Sequence, residues 1–257
     1  MPRKKNQQKA ELPTTFKGEP FYGLDLDPEQ LLLADTIINP NFDIIFVNAK
    51  AGTGKTTIAT GAAILLIKSG FYKELIYIMA PYGEKKQGWL PGTITEKSSV
   101  YFEAFYQALT RCHVNLNTAI KNTSLSEESP QDNGGYITCI TDTYLRGSNL
   151  DDAVIIIDEA QNYTLQQLQK TLTRVGERAK VIVIGHDGQC DLDNQEQSGF
   201  QKYIRHFSKC DRAAVCSLST NHRSWISDWA DQIYLTAETK VSPEKLPYIP
   251  TPRVITL

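Results

Sequence analysis

Ala49-Lys50-Ala51-Gly52-Thr53-Gly54-Lys55-Thr56-Thr57 follows the apolar run Ile44-Ile45-Phe46-Val47 and leads into a helix-patterned segment, so it reads as a strand, a phosphate-cradling loop and a helix start. Small residues let successive backbone N–H groups turn inward toward phosphate oxygens, while a lysine reaches the β- and γ-phosphates and a hydroxyl ligates Mg²⁺. Gly52, Gly54, Lys55 and Thr56 supply those parts, with Ala51, Thr53 and Thr57 completing the cradle. Ala49 stands where the stricter pattern has a glycine, which costs freedom at one turn and leaves the cradle intact. The expected ligands are ATP and Mg²⁺. A chance glycine-rich turn is the alternative, and a second motif downstream argues against it.

With 257 residues, 41% of them hydrophobic, the chain is long enough to bury a full core and is most simply one domain with tails. No apolar run approaches the ~20 residues of a membrane span, and Met1-Pro2-Arg3-Lys4-Lys5 is followed by polar residues with no signal-peptide core. The expected setting is cytoplasmic, with no membrane partner. Five cysteines, odd in number and without a CxxC pair, suit buried thiols better than a disulfide framework. His186/Cys190 and His206/Cys210 share a spacing that suits zinc on a helix, but the first pair falls in a glycine-containing turn, so the zinc reading is set aside. A net charge of −2 does not mark a nucleic-acid binder. Arg3, Lys4, Lys5 and Lys9 nevertheless open the chain without an acid, as a phosphate-touching arm or a solvated terminus.

The order of elements predicts an α/β fold. Residues 1–20 read as a flexible basic leader, 21–237 as the folded domain, about 114–135 as a polar insertion within it, and 238–257 as a Pro-rich tail. A short helix begins at Asp27 with Pro28 in its first position and runs to about Ala34. Strands are predicted over Ile44–Asn48, Leu75–Met79, Tyr136–Ile140, Ala153–Ile157, Val181–Ile184 and Ala213–Leu218. Helices are predicted over Lys55–Ile67, Ser98–His113, Leu165–Val175, Ser198–Phe207 and Ser224–Leu235. Short, continuous apolar strands alternating with helices mean a mainly parallel sheet with helices on both faces.

Val154-Ile155-Ile156-Ile157-Asp158-Glu159-Ala160-Gln161-Asn162 puts two carboxylates at the carboxyl end of a buried strand, where open α/β sheets bind ligands. This is a Walker B element: Asp158 holds Mg²⁺, and Glu159, one residue beyond, orients and deprotonates an attacking water. The pair favours hydrolysis over mere binding. An ordinary strand end with a helix cap is the bland alternative, weakened by the P-loop upstream.

Gly52-Thr53-Gly54-Lys55-Thr56, Gly88-Trp89-Leu90-Pro91-Gly92, Arg146-Gly147-Ser148, Asp158-Glu159-Ala160-Gln161-Asn162, Leu172-Thr173-Arg174 and Gly185 with Gln189 and Asp191 occur in the order seen in PhoH-like proteins. The resemblance covers roughly Phe21 to Trp229. It implies a RecA-like P-loop NTPase sheet similar to the first domain of superfamily-one helicases, and ATPase chemistry. Some members are associated with RNA unwinding or RNA metabolism, which implies RNA or single-stranded DNA as a partner. By position, Gln189 resembles the γ-phosphate-sensing glutamine, although His186 stands where the family usually has an acid, so Asp187 substitutes or the turn is rearranged. Gln30 resembles the adenine-reading glutamine or is a solvated helix residue.

Arg223, in Asn221-His222-Arg223-Ser224, is the first choice for an arginine aimed at the γ-phosphate, with Arg146 and Arg174 behind it; a structural ion pair is the alternative. Tyr82, Lys85, Lys86 and Trp89 form the candidate nucleic-acid contact with Arg146, the lysines meeting phosphates and an aromatic stacking on a base. Trp89-Leu90-Pro91 is equally readable as an apolar plug. One RecA-like domain does not make a two-domain motor, so a homo-oligomer, a ring among the options, is expected. A nucleotide-switched interaction module and a nucleoside or small-molecule kinase are the competing functions, and the DEAQN arrangement speaks against the kinase.

Overall fold

The computed structural model describes residues 12–80, 102–121, 134–142, 145, 150–192 and 194–231. Its centre is one six-stranded sheet: β1 (Ile44–Ala49), β2 (Glu74–Met79), β3 (Ile137–Thr141), β4 (Ala153–Asp158), β5 (Ala179–Gly185) and β6 (Ala213–Leu218). The order across the sheet is β3-β2-β4-β5-β1-β6, and every neighbouring pair is parallel. Every residue of β4 and β5 is buried, the reason Val154–Ile157 and Val181–Ile184 are continuous aliphatic runs instead of alternating ones. Burying one isoleucine side chain contributes roughly 1.5–3 kcal/mol. A charge at Ile156, which is fully buried, would therefore break the sheet at its middle.

Helices cover both faces, as a mainly parallel RecA-like sheet requires. On one face α1 (Pro28–Ile38), α2 (Lys55–Lys68) and α3 (Glu103–Arg111) bury Leu33, Ile64 and Phe105 against Ile45, Tyr77, Ile156 and Ile184. On the other, α5 (Leu165–Leu172) and α6 (Phe200–Phe207) bury Leu168 and Phe200 against Phe46, Ile155 and Val183. Two short helices, α4 (Leu116–Ala119) and α7 (Trp225–Asp231), complete the described set. No helix among the described residues is long and apolar enough to cross a membrane.

Register decides what the strand ends bring together. Asn48 pairs with Gly185 and Met79 with Asp158, so β1, β5 and β4 finish at one edge of the sheet. Although β5 lies between β1 and β4, α2 carries Thr56 from the loop after β1 across to Asp158 at the end of β4.

Several boundaries differ from the sequence reading. Helix α1 runs on to Ile38 because Leu33, Ile37 and Ile38 continue its buried stripe, and α5 stops at Leu172. Packing starts inside the stretch read as a leader: Phe16 is buried, and Asp35 accepts from the Phe16 N–H at 2.7 Å and from the Thr15 hydroxyl at 2.6 Å. The start of the expected insertion also belongs to the body. Val114 and Ala119 are buried, and the Lys121 N–H donates to the Ile137 carbonyl at 2.8 Å. Residues 122–133 of the insertion, the Pro-rich tail, and Tyr82, Lys85, Lys86, Trp89 and Arg146 lie outside the described residues.

Candidate nucleotide-binding site

A cleft of about 650 Å³ opens over the P-loop and is lined by Gln30, Gly52, Gly54, Lys55, Thr56 and Arg223 among others. Gly52 and Gly54 hold φ of +78° and +79°, a left-handed geometry that costs other L-residues roughly 1–2 kcal/mol. At Gly52 a side chain is also excluded by space, since a Cβ would lie 2.5 Å from Asn221 Oδ1. Between the glycines, buried Thr53 braces the loop by donating its hydroxyl to the Lys50 carbonyl at 3.0 Å. Helix α2 starts at Lys55, capped by Gly54 with no side-chain hydrogen bond. Its first-turn N–H groups are therefore left for an anion, with the helix dipole aligned to favour one.

Asp158 is buried and fully employed. Its Oδ2 accepts from the Thr56 hydroxyl at 3.0 Å and the Tyr77 hydroxyl at 2.8 Å, and its Oδ1 accepts from the Glu159 N–H at 2.8 Å. A hydroxyl and a carboxylate converging at the mouth of a P-loop are the hard oxygen donors that suit Mg²⁺ held together with phosphate oxygens. Thr56 and Asp158 would hold that ion. Glu159 has φ +52° and ψ +40°, left-handed for a non-glycine residue, which turns its side chain out of the strand's alternation. Burial first, and then the neighbouring Asp158 charge, raise its pKa, while a hydrogen bond from Gln161 and the Lys55 charge pull it back.

The N-terminus of α1 acts as a clamp. Asp27 caps the helix and forms a capping box with Gln30. Gln30 Oε1 accepts from the Asp27 N–H at 3.2 Å and Nε2 donates to the Thr53 carbonyl at 2.9 Å, so both ends of its amide are engaged within the protein. Glu29 accepts from the Ser219 N–H at 2.7 Å and hydroxyl at 2.8 Å, and these bonds lower its pKa. His222 Nε2 meets Asp27 Oδ2 at 2.8 Å, and the His222 N–H donates to the Gly52 carbonyl at 2.9 Å. The loop after β6 is thus tied to both α1 and the P-loop. It carries exposed Arg223 into the cleft of its own chain, with Cγ and Cδ 3.1 Å from where a Gly52 Cβ would stand. Arg174 instead donates to the Leu145 carbonyl.

At the end of β5, His186 is buried and its N–H is held by Gln161. Asp187 accepts from Asn48 Nδ2 at 3.0 Å and Gln201 Nε2 at 2.9 Å, and Gln189 is exposed in a turn closed by its N–H on the His186 carbonyl at 3.2 Å. Three functional neighbours escaped the sequence reading: Tyr77, Gln161 and Glu29. Tyr77 had a visible mark, a polar tip in an aliphatic strand; Gln161 sat inside the DEAQN run. Glu29 had none, because its partners are 190 residues away.

A family model described as PhoH-like protein matches residues 26–234. The chain is 33% identical over 187 residues to Protein PhoH of Escherichia coli (strain K12), covering 67% of this chain and 51% of that protein. It is 37% identical over 158 residues to the PhoH-like protein of Bacillus subtilis (strain 168), covering 61% and 46%. The chain spans about half the length of these curated relatives. Among solved structures, the large terminase from a thermophilic bacteriophage superposes with a TM-score of 0.51 at 11% identity, over 81% of this chain and 50% of that one. That likeness is one of fold.

Proposed function

Because this chain belongs to the PhoH-like protein family, we propose that its P-loop site hydrolyses ATP with Mg²⁺ and couples the reaction to RNA or single-stranded DNA. The observation that carries the reading is the meeting of Thr56 with Asp158 across 102 residues of sequence, with Glu159 next in line. Lys55 and the α2 N-terminus bind the phosphates, and Glu159 takes the proton of the attacking water. Thr56 and Asp158 would hold Mg²⁺, which would supply charge neutralisation on the phosphate oxygens. Arg223 reaches the γ-phosphate from within the same chain and stabilises charge developing there. Gln189, on the turn after β5, senses the same phosphate.

The test is Mg²⁺-dependent phosphate release measured with and without RNA or single-stranded DNA. Polymer stimulation supports the coupling, and an acceptor-hydroxyl requirement would replace it with a kinase. Glu159→Gln keeps ATP binding and lowers turnover by about 10²-fold.

A second reading, a nucleotide-switched module that docks a partner or further copies of itself, has one observation in its favour. Directly after Arg223, α7 exposes Trp225, Ile226 and Trp229 to 77%, 61% and 69%, more apolar surface than a short helix normally leaves to water. Slow turnover unaffected by polymer, together with light scattering that changes on adding ATP, supports that reading.

A further inference from the structure

Resting on the assignment of Glu159 as the base, we propose that Gln161 is a positioning residue: it sets the Glu159 carboxylate by reference to the turn after β5, so that the base follows that turn. Gln161 is 2% exposed, and its side-chain amide is used at both ends. Its Nε2 donates to Glu159 Oε2 at 2.6 Å, and its Oε1 accepts from the His186 N–H at 3.0 Å. One rigid, planar amide therefore spans from the base to the backbone of the neighbouring strand end. The space for it is made by Gly185, where a Cβ would lie 3.1 Å from Gln161 Oε1 and 2.8 Å from the Phe200 ring.

Glu159 needs an external tie. Its left-handed backbone is disfavoured for a residue that carries a side chain, so local preference does not hold the residue there. Two further contacts fasten the same two segments. Asn162 and Asp191 exchange hydrogen bonds at 3.1 and 2.9 Å, and Cys190 Sγ donates to the Gln161 carbonyl at 3.2 Å. On its other side the turn is joined to the P-loop strand, where Asn48 donates to Asp187 Oδ2 at 3.0 Å and accepts from the Asp187 N–H at 3.3 Å. A continuous path of hydrogen bonds thus runs from the end of β1, through the turn, to the catalytic carboxylate. Any shift of the turn moves the acceptor end of Gln161, and its donor end moves the base.

A Gln161 that only packed strand ends together would cost stability when replaced and leave the chemistry of the folded fraction alone. A positioning role separates the kinetic constants, because displacing a catalytic group by about 1 Å costs on the order of 10²-fold in rate. In Gln161→Leu, kcat is expected to fall at least about 10-fold with the KM for ATP within about twofold of the parent. The His186 amide exchanges faster in deuterium-exchange measurements. In a Glu159→Gln background the same substitution has no further effect on kcat, since there is no base left to place. Should Gln161→Leu fold poorly, Gln161→Glu at pH 8 keeps an acceptor for the His186 N–H but replaces the donor with a repelling carboxylate, and the same fall in kcat is expected. Parental kcat in either folded variant, beside an impaired Glu159→Gln, would overturn the role of Gln161 alone. Normal turnover of Glu159→Gln itself would remove the base assignment and this inference with it.

Discussion

Gln30 donates from Nε2 to the carbonyl of Thr53 at 2.9 Å, a buried bond that ties the first turn of α1 to the middle of the P-loop. Its other amide end accepts from the N-cap Asp27, so the glutamine is simultaneously a helix cap and a loop brace.

Gln30→Ala is therefore expected to weaken ATP and GTP binding by the same factor and to destabilise the fold by about 1–2 kcal/mol, a lost cap plus a lost buried hydrogen bond. Titration with fluorescent analogues of both nucleotides, with thermal unfolding alongside, checks this. Selective loss of the adenine nucleotide would show that Gln30 reads the base.

Gly52→Ala adds a methyl 2.5 Å from Asn221 Oδ1 at a backbone φ of +78°. Strain of roughly 1–2 kcal/mol combines with a clash that pushes the Arg223 loop away. Nucleotide affinity is expected to drop at least about 10-fold, the equivalent of about 1.4 kcal/mol, with the far-ultraviolet circular dichroism unchanged.

Tyr77→Phe removes the hydroxyl that donates to Asp158 at 2.8 Å while keeping the ring stacked on Phe105 at 4.0 Å. A hydrogen bond to a charged group contributes about 1.5–3 kcal/mol. The nucleotide-free protein should lose about that much in urea unfolding, and packing changes alone would leave a far smaller difference.

Lys180 gives a pH signature well away from the cleft. It is 2% exposed and donates to the carbonyls of Asn39 and Phe42 at 2.8 and 2.7 Å. Burial lowers its pKa from 10.5 to about 8, against the opposing pull of Asp43. Between those values the folded protein has released a proton that the unfolded chain still holds, so the contribution of Lys180 to stability rises with pH across that window and is flat on either side. Buried Cys112 and Cys139, with thiols pushed up from 9.0 to about 12, pull stability the other way above about pH 9, so the signature of Lys180 is the difference between the parent and Lys180→Met in urea unfolding, which should grow in the parent's favour from about pH 8 to about pH 10.

The strands were readable from sequence because a strand buried on both faces is mostly a short aliphatic run, as Val154–Ile157 in β4 and Val181–Ile184 in β5 are. The P-loop was readable because its chemistry is contained in nine consecutive residues, 49–57. Boundaries drifted where a partner distant in sequence set them. Phe16 packs because Asp35 takes its N–H, and residues 114–121 pack because β3 receives them.

Sequence by itself determined the chemical parts: a phosphate cradle with Lys55 and Thr56, and the carboxylates Asp158 and Glu159 at the end of a buried strand. Only the tertiary structure decided how those parts are held. Placing β5 between β1 and β4 brings Thr56 to Asp158 and puts Gln161 between Glu159 and His186, while pairing β6 with β1 folds the Arg223 loop back onto Gly52. The physical reason is that a side chain's chemistry is local, whereas a hydrogen bond about 3 Å long between residues far apart in the chain exists only once a packed sheet sets the register of its strands.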